Sequence, residues 1–258
     1  MKLVTDINWS PLEYAQCAVV AREAGEGMLE RLAWMTRQPQ VILDVGCGVG
    51  ETASILQERY PEATVIAIDM ASSMLESAPP ALQRVCASAQ CLPLPDQTVD
   101  ILFANFILPW QSDLPGTLRE WKRVLRPDGI LIFTVLGPDS FKEWTEALSA
   151  AQIPWQIDMH EVGDLLIEAG FADPVLDIDY CITSYRDPAQ FVAELVASGI
   201  CHSSIDVSML PVAQDGCWET TYEIVYAHAF APAPQDTYTA KDGVARIPLS
   251  HLRTKLNK

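Results

Sequence analysis

Two hydrophobic periodicities alternate along this chain and outline its elements. Between residues 10 and 37, apolar side chains recur at every third or fourth position, which predicts an amphipathic helix that ends before Pro39. Residues 41–45 are instead a short and almost continuously apolar run, which is typical of a strand buried on both faces. Similar runs predict strands over 64–68, 84–87, 99–104 and 130–135, separated by helices over 51–60, 71–78 and 114–125.

The pattern changes after residue 150, where longer strands are predicted over 174–185 and 220–230, with helices over 160–169 and 187–198. Strands that alternate with helices favour right-handed crossovers and a parallel sheet. The sequence therefore predicts an α/β fold, a doubly wound and mostly parallel seven-stranded sheet with helices on both faces. Residues 1–258 are predicted to form a single domain, with an N-terminal helical lid over 1–39, a ligand-binding core over 40–136, and a further half over 137–258 that carries a small cap insertion at about 187–219.

Composition narrows the possible partners and the compartment. The chain has 17 Lys and Arg residues against 34 Asp and Glu, a net charge of −17, which disfavours binding to nucleic acid or to an anionic membrane. No apolar run reaches the roughly 18 residues of a membrane span, and the first ten residues lack the apolar stretch of a signal peptide, so a cytoplasmic protein is expected. The seven cysteines form no Cys-x-x-Cys pair, which predicts reduced packing residues and no metal site.

A glycine loop is the most informative motif. Asp44 precedes a G-x-G-x-G run from Gly46 to Gly50, between a predicted strand and a predicted helix, and Asp69 ends the next strand. Glycines let the backbone approach a ligand closely, and an acid at the position of Asp69 is suited to a ribose diol. The carboxylate of Asp44 would repel a pyrophosphate but suits a cationic, amino-acid-like ligand. The loop therefore favours S-adenosylmethionine over a dinucleotide.

Residues 41–50 resemble the first motif of class I S-adenosylmethionine-dependent methyltransferases, and Asp69 matches that family's ribose-binding acid. Residues 92–95, 99–100 and 123–129 match later landmarks of the same family. The resemblance implies a Rossmann-like methyltransferase sheet and S-adenosyl-L-methionine as the cofactor. The cofactor contacts that it implies are Asp44, Gly46, Cys47, Gly48, Gly50, Asp69, Met70, Ser88, Ala89 and Asn105. Ser88 stands where the family usually has an acid that meets the adenine amino group.

Motifs at 137–140, 157–164, 169–171, 183–187 and 221–223 resemble the malonyl-acyl-carrier-protein O-methyltransferases of biotin synthesis. Residues 14–32 resemble that family's N-terminal helix, with Tyr14 at the position of its lid tyrosine. A mitochondrial arginine-hydroxylating assembly factor of respiratory complex I shares much of this pattern. A protein-acting methyltransferase or hydroxylase, and a non-catalytic S-adenosylmethionine-binding protein, therefore remain alternatives.

The implied reaction transfers a methyl group to a carboxylate that is already ionised at pH 7, so that alignment and removal of water matter more than a base. A cation should hold this carboxylate, and Arg186 is the first candidate, although it could equally pair with Asp187 on the surface; Arg22 is the second. Tyr14 is expected to close over the site or to pack within its helix. Asn105, at the end of a strand, is expected to contact the cofactor or the acceptor, unless it only ends the strand.

The expected partner, acyl carrier protein with a malonyl thioester, is acidic, as is this chain, so a local basic patch is needed for docking. Arg119, Lys122, Arg123 and Arg126 are spaced to share one face of the helix predicted over 114–125. The second candidate patch is the tail over 238–258, which has five basic residues and one acidic residue. Either segment could instead be only a solvated surface.

Overall fold

The computed structural model describes residues 9–33, 38–144, 156–200 and 216–233, in which seven helices and seven strands form one sheet with helices on both sides. The α-helices are α1 Pro11–Cys17, α2 Val19–Ala33, α3 Glu51–Arg59, α4 Ser72–Ser77, α5 Leu114–Val124, α6 Met159–Glu168 and α7 Pro188–Ala197. The strands are β1 Val41–Val45, β2 Thr64–Asp69, β3 Gln83–Cys86, β4 Val99–Asn105, β5 Leu125–Leu136, β6 Ala172–Tyr185 and β7 Trp218–Phe230. Short 3-10 helices cover Leu108–Trp110 and Lys142–Trp144.

The strand order is β3-β2-β1-β4-β5-β7-β6. Strands β1 to β5 pair in parallel, whereas β7 runs antiparallel to both β5 and β6. This arrangement confirms the predicted mostly parallel seven-stranded sheet. The order in which successive strands are added to the sheet reverses between β1 and β4. Open α/β sheets bind ligands at such a point, in the crevice beyond the carboxyl ends of the strands.

Each face of the sheet carries its own apolar layer. On one face, Met28 and Leu32 of α2 pack with Leu56 of α3 and with Phe191 of α7. On the other face, Trp121 of α5 and Leu166 of α6 pack against strand residues. Side chains of β1 alternate between the two layers, with Ile42 on one face and Leu43 on the other, which explains why this strand reads as an unbroken apolar run.

The N-terminal region differs from the single helix predicted over 10–37. The helix breaks at Ala18, where ψ is 56°, so that α1 and α2 are separate; residues 34–37 lie outside the described ranges. Side chains satisfy two of the backbone groups that the break frees. Arg22 Nη2 donates to the Ala15 carbonyl at 2.9 Å, and the Val20 N–H donates to a carboxylate oxygen of Glu194 at 3.4 Å.

Most other predicted boundaries are correct to within two residues. The exception is β5, which begins at Leu125, five residues before the predicted start, because Asp128 adopts a positive φ of 60° that lets the strand pass through the predicted turn. The region predicted to be a cap insertion contains α7, between β6 and β7, and α1 packs against α7 and against α4. Residues 201–215 of the insertion and the tail over 238–258 lie outside the described residues.

Candidate active site

The glycine loop follows β1 and is fastened to the end of β2. The N–H groups of Gly46 and Cys47 both donate to the Ile68 carbonyl, at 2.7 and 3.0 Å. Gly46, Gly48 and Gly50 all have positive φ, a conformation that residues with a Cβ adopt only under strain. A Cβ at Gly46 would also overlap the side chain of Ile107, so glycine is required there for two separate reasons.

Asp69, at the end of β2, holds the backbone around it. One carboxylate oxygen accepts the Gly48 N–H at 2.9 Å, and the other accepts the Ala71 N–H at 2.8 Å. These bonds favour the ionised form, but burial outweighs them and raises the pKa of Asp69. Each carboxylate oxygen keeps a second lone pair, so the group can still accept hydrogen bonds from a ligand diol.

Asp44 is a buried acid without a full set of partners. Its side chain is 2% exposed, and its Oδ2 atom has no hydrogen-bond partner within the described residues. Burial, followed by the negative charge of Asp69, raises the pKa of Asp44 to about 7, although the Ala53 N–H opposes the shift. An unpartnered buried carboxylate is costly unless a cation or a donor completes it. The site therefore fits a ligand that brings a positively charged donor.

Two adjoining cavities surround the loop. The front cavity, about 280 Å³, extends from the outer side of the loop to the cap, and the loop cavity lies between the loop and α2. Tyr14, Ala21, Gly46 and Asn105 line both, so the two lie side by side. Gly48, Asp69, Met70, Ser88 and Ala89 line the front cavity, and Asp44, Cys47 and Gly50 line the loop cavity. Every predicted cofactor residue thus lines one cavity or the other.

Tyr14, the residue predicted to close over the site, contacts the glycine loop. A Cβ placed on Gly48 would lie 3.4 Å from its ring, and the hydroxyl is desolvated and near three acids, which raises its pKa. Asn105, in contrast, is already engaged in the protein: its Nδ2 donates to the Ala21 carbonyl at 2.6 Å, and its Oδ1 accepts from Thr134 Oγ1 at 2.6 Å. It fastens α2 to β4 and β5 at the point where the cavities meet.

Arg186 and Arg22 occupy different surroundings from those expected. Arg186 is exposed directly after β6 and lines neither cavity. Its role as the carboxylate clamp stays a prediction. Arg22 lines the loop cavity together with Asp44 and forms a 3.4 Å ion pair with Glu51. It therefore stands on the Asp44 side of the site, away from the cap.

The front cavity also contains Trp9 and Glu194, which the sequence alone did not identify, and Trp110, which the sequence suggested either for an acyl pocket or for packing. Trp9 lies edge-on to Trp110, with ring centroids 6.1 Å apart, and both line this cavity. Glu194 of α7 lines it as a carboxylate that is only 5% exposed. The signal in the sequence was an acid on an apolar helix face, since Phe191, Glu194, Leu195 and Ser198 follow the spacing of one face.

The predicted basic face on α5 is wrong. The helix ends at Val124, so Arg126 lies in β5 and not on the helix. Arg126 pairs with Asp100 at 2.9 Å, and Arg123 pairs with Glu120 at 2.7 Å and with Asp96 at 2.6 Å. Only Arg119 stays exposed, while Lys122 is half-buried and donates to the Ala169 carbonyl at 3.3 Å. The local acids neutralise most of the expected patch.

Other chemistry is sparse in the described part of the chain. Its six cysteines are free thiols, and burial raises the pKa of Cys47, which removes it as a thiolate nucleophile. Among these same residues, no group of three His, Cys, Asp or Glu side chains could hold a metal ion, and no helix is long and apolar enough to cross a membrane.

Comparisons with known proteins agree with this fold. A methyltransferase domain family matches residues 43–133. The malonyl-(acyl-carrier protein) O-methyltransferase of Gallionella capsiferriformans is 34% identical over 92% of this chain and 91% of that protein, and that of Methylovorus sp. is 33% identical over 91% and 89%. Among solved structures, the YcgJ protein of Bacillus subtilis is similar in fold, with a TM-score of 0.61 and 16% identity over 82% of this chain and 99% of that one.

Proposed function

We propose that this chain, which belongs to the family of malonyl-(acyl-carrier protein) O-methyltransferases, methylates the free carboxylate of a malonyl thioester on acyl carrier protein. It is an S-adenosylmethionine-dependent methyltransferase. The identity with curated relatives over about nine tenths of both chains carries the choice of acceptor. The proposed setting is an early step of biotin synthesis in the cytoplasm.

The cofactor is proposed to lie across the two cavities. S-adenosylmethionine, when bound, supplies a methyl group on a positively charged sulfur. The unpartnered Asp44 oxygen suits the ammonium group of the cofactor, and Arg22 in the same cavity suits its carboxylate. An anionic and a cationic side chain thus complement the two charges of the cofactor's amino-acid end. Asp69 is suited to the ribose, while Met70, Ser88 and Ala89 line the adjoining wall of the front cavity.

The acceptor is proposed to enter from the cap side of the front cavity. Its carboxylate needs no base, so the task of the chain is to align the oxygen and to exclude water. Trp9 and Trp110 supply an apolar wall there, and Tyr14 covers the loop. Asn105 is proposed to act by fixing α2, because both ends of its amide are bonded within the protein. Arg186 remains our first candidate for the cation that holds the carboxylate.

One observation favours a second candidate function. The carboxylate of Glu194 lines the cap side of the front cavity, and a carboxylate suits a cationic side chain better than an anionic acceptor. A methyltransferase that acts on a basic protein side chain would use this charge directly. The family assignment weighs against this candidate, and the same assay separates the two.

The decisive experiment is methyl transfer from radiolabelled cofactor to purified acyl carrier protein. Malonyl-loaded carrier should accept label that mild base releases as methanol, as an ester does, whereas acetyl-loaded carrier, which lacks the free carboxylate, should accept none. Label that resists base and appears equally on both carriers would support methylation of a protein side chain instead. Rescue of a bacterial strain that lacks its own malonyl carrier methyltransferase would test the biotin role in the cell.

A further inference from the structure

Glu194 is a buried acid that methyl transfer to a carboxylate does not require. It projects from α7 in the cap and is held at two points. Its Oε2 accepts the Tyr185 hydroxyl at 2.6 Å, and its Oε1 accepts the Val20 N–H at 3.4 Å. The Tyr185 hydroxyl in turn accepts from Thr183 Oγ1 at 3.0 Å. The carboxylate therefore connects the cap and the last strands to the first turn of α2.

The first turn of α2 joins α1, which carries Tyr14, to the rest of the site. Tyr14, which contacts the glycine loop, lies four residues before the break at Ala18, so the position of α1 depends on how the break is held. Two side chains from outside the lid hold it on the far side of the break: Glu194 through the Val20 N–H, and Asn105 through the Ala21 carbonyl. Helix α1 also packs directly on α7.

We propose that Glu194 is a positioning residue that keeps Tyr14 and α1 over the cofactor by holding the start of α2. The residue lines the cavity on the side assigned to the acceptor, yet its hydrogen bond to Val20 acts on the helix that leads to Tyr14. Burial raises the pKa of Glu194, while the two donors oppose that shift and help keep it charged. The inference rests on the proposed function only through the shared cofactor site.

The test compares two buried glutamates in the full-length protein. Glu194→Gln keeps the size of the side chain but removes its charge and replaces one of its two accepting oxygens with an NH2 group, which cannot accept from Tyr185 or Val20. Glu223→Gln is the matched control, because Glu223 is 4% exposed, accepts the Asp139 N–H at 2.6 Å and lines neither cavity. Calorimetry with S-adenosylhomocysteine should show about tenfold weaker binding for Glu194→Gln, the effect of one hydrogen bond to a charged group, and a change below about twofold for the control.

A double-mutant cycle with Tyr14→Ala separates positioning from general loosening of the fold. If Glu194 acts through Tyr14, its substitution should add little once Tyr14 is replaced, so the two effects on S-adenosylhomocysteine affinity should be clearly non-additive. Fully additive effects, or wild-type affinity in Glu194→Gln, would overturn the proposal.

A second variant covers the case in which Glu194→Gln fails to fold. Tyr185→Phe removes the donor to Glu194, keeps the ring packed on Phe191, and should weaken binding in the same direction. Wild-type affinity in that variant would then overturn the proposal. None of these measurements uses the acceptor, so a failed malonyl assay leaves their outcome readable.

Discussion

Asp44→Asn should make the protein more stable and the cofactor site weaker. Burial raises the pKa of this carboxyl from 3.8 to about 7. Each factor of ten in proton affinity corresponds to about 1.4 kcal/mol, so keeping Asp44 ionised in the ligand-free protein costs about 4 kcal/mol. Asparagine removes that charge, and its oxygen can still accept the Ala53 N–H. It also loses the charge proposed to meet the cofactor ammonium, which should weaken S-adenosylhomocysteine binding by about 1.5–3 kcal/mol.

The pH dependence gives the sign of the stability effect. The folded-state pKa of Asp44 lies above that of the unfolded chain, so the folded state binds more protons between about pH 4 and about pH 7. Stability contributed by this group therefore falls as the pH rises through that window and then levels off. Relative to Asp44→Asn, the free energy of unfolding of the wild type should fall by about 2 kcal/mol between pH 5.5 and pH 8. Urea unfolding of both proteins at both pH values measures this, and parallel pH profiles, or unchanged ligand affinity in the variant, would refute the reasoning.

The remaining predictions concern three further residues. Arg22→Ala should weaken S-adenosylhomocysteine binding about tenfold or more in calorimetry, and a variant in which only the KM for the carrier rises would place Arg22 at the acceptor instead. Asp69→Ala should weaken the same binding by about 1.5–3 kcal/mol, because it loses the proposed contact with the ribose and the two backbone bonds that hold the loop, and wild-type affinity would contradict its assignment. Arg186→Ala should abolish methyl transfer to malonyl carrier in the label assay while S-adenosylhomocysteine affinity is retained; a loss of turnover below about threefold is too small for a carboxylate clamp.

The sheet and the conformation of the glycine loop could be predicted because local sequence determines both. A strand buried on two faces must be apolar throughout, as in Ile42 and Leu43, and a loop with three positive φ angles requires glycine wherever a Cβ would clash. Asp69 ends β2, and Asp44 lies one residue before the end of β1, so both acids could be located from the predicted strands. The features on which the cofactor prediction depended were thus all within about thirty residues of one another.

The lid and the acceptor side could not be predicted in the same way, since they depend on partners far apart in the chain. The break at Ala18 is satisfied in part by Glu194, which is 174 residues from the Val20 N–H that it accepts. The apolar periodicity of residues 10–37 gives no indication of that contact. The role of Asn105 could not be predicted for the same reason. Its side-chain amide forms hydrogen bonds with Ala21, 84 residues away in the chain, and with Thr134, 29 residues away.

The basic face on α5 shows how a correct rule led to a wrong surface. The spacing rule for a helix face applies only while the helix lasts, and α5 ends two residues before Arg126. The rule also counts charges without their neighbours, whereas Asp96 and Glu120 engage Arg123, and Asp100 engages Arg126. An arginine bonded to two carboxylates adds little field for an approaching acidic carrier, since the charges cancel at the distance where steering begins. On α5 the cationic surface therefore reduces to the exposed Arg119 and the partly buried Lys122. A carrier that docked on α5 would therefore gain little from long-range attraction.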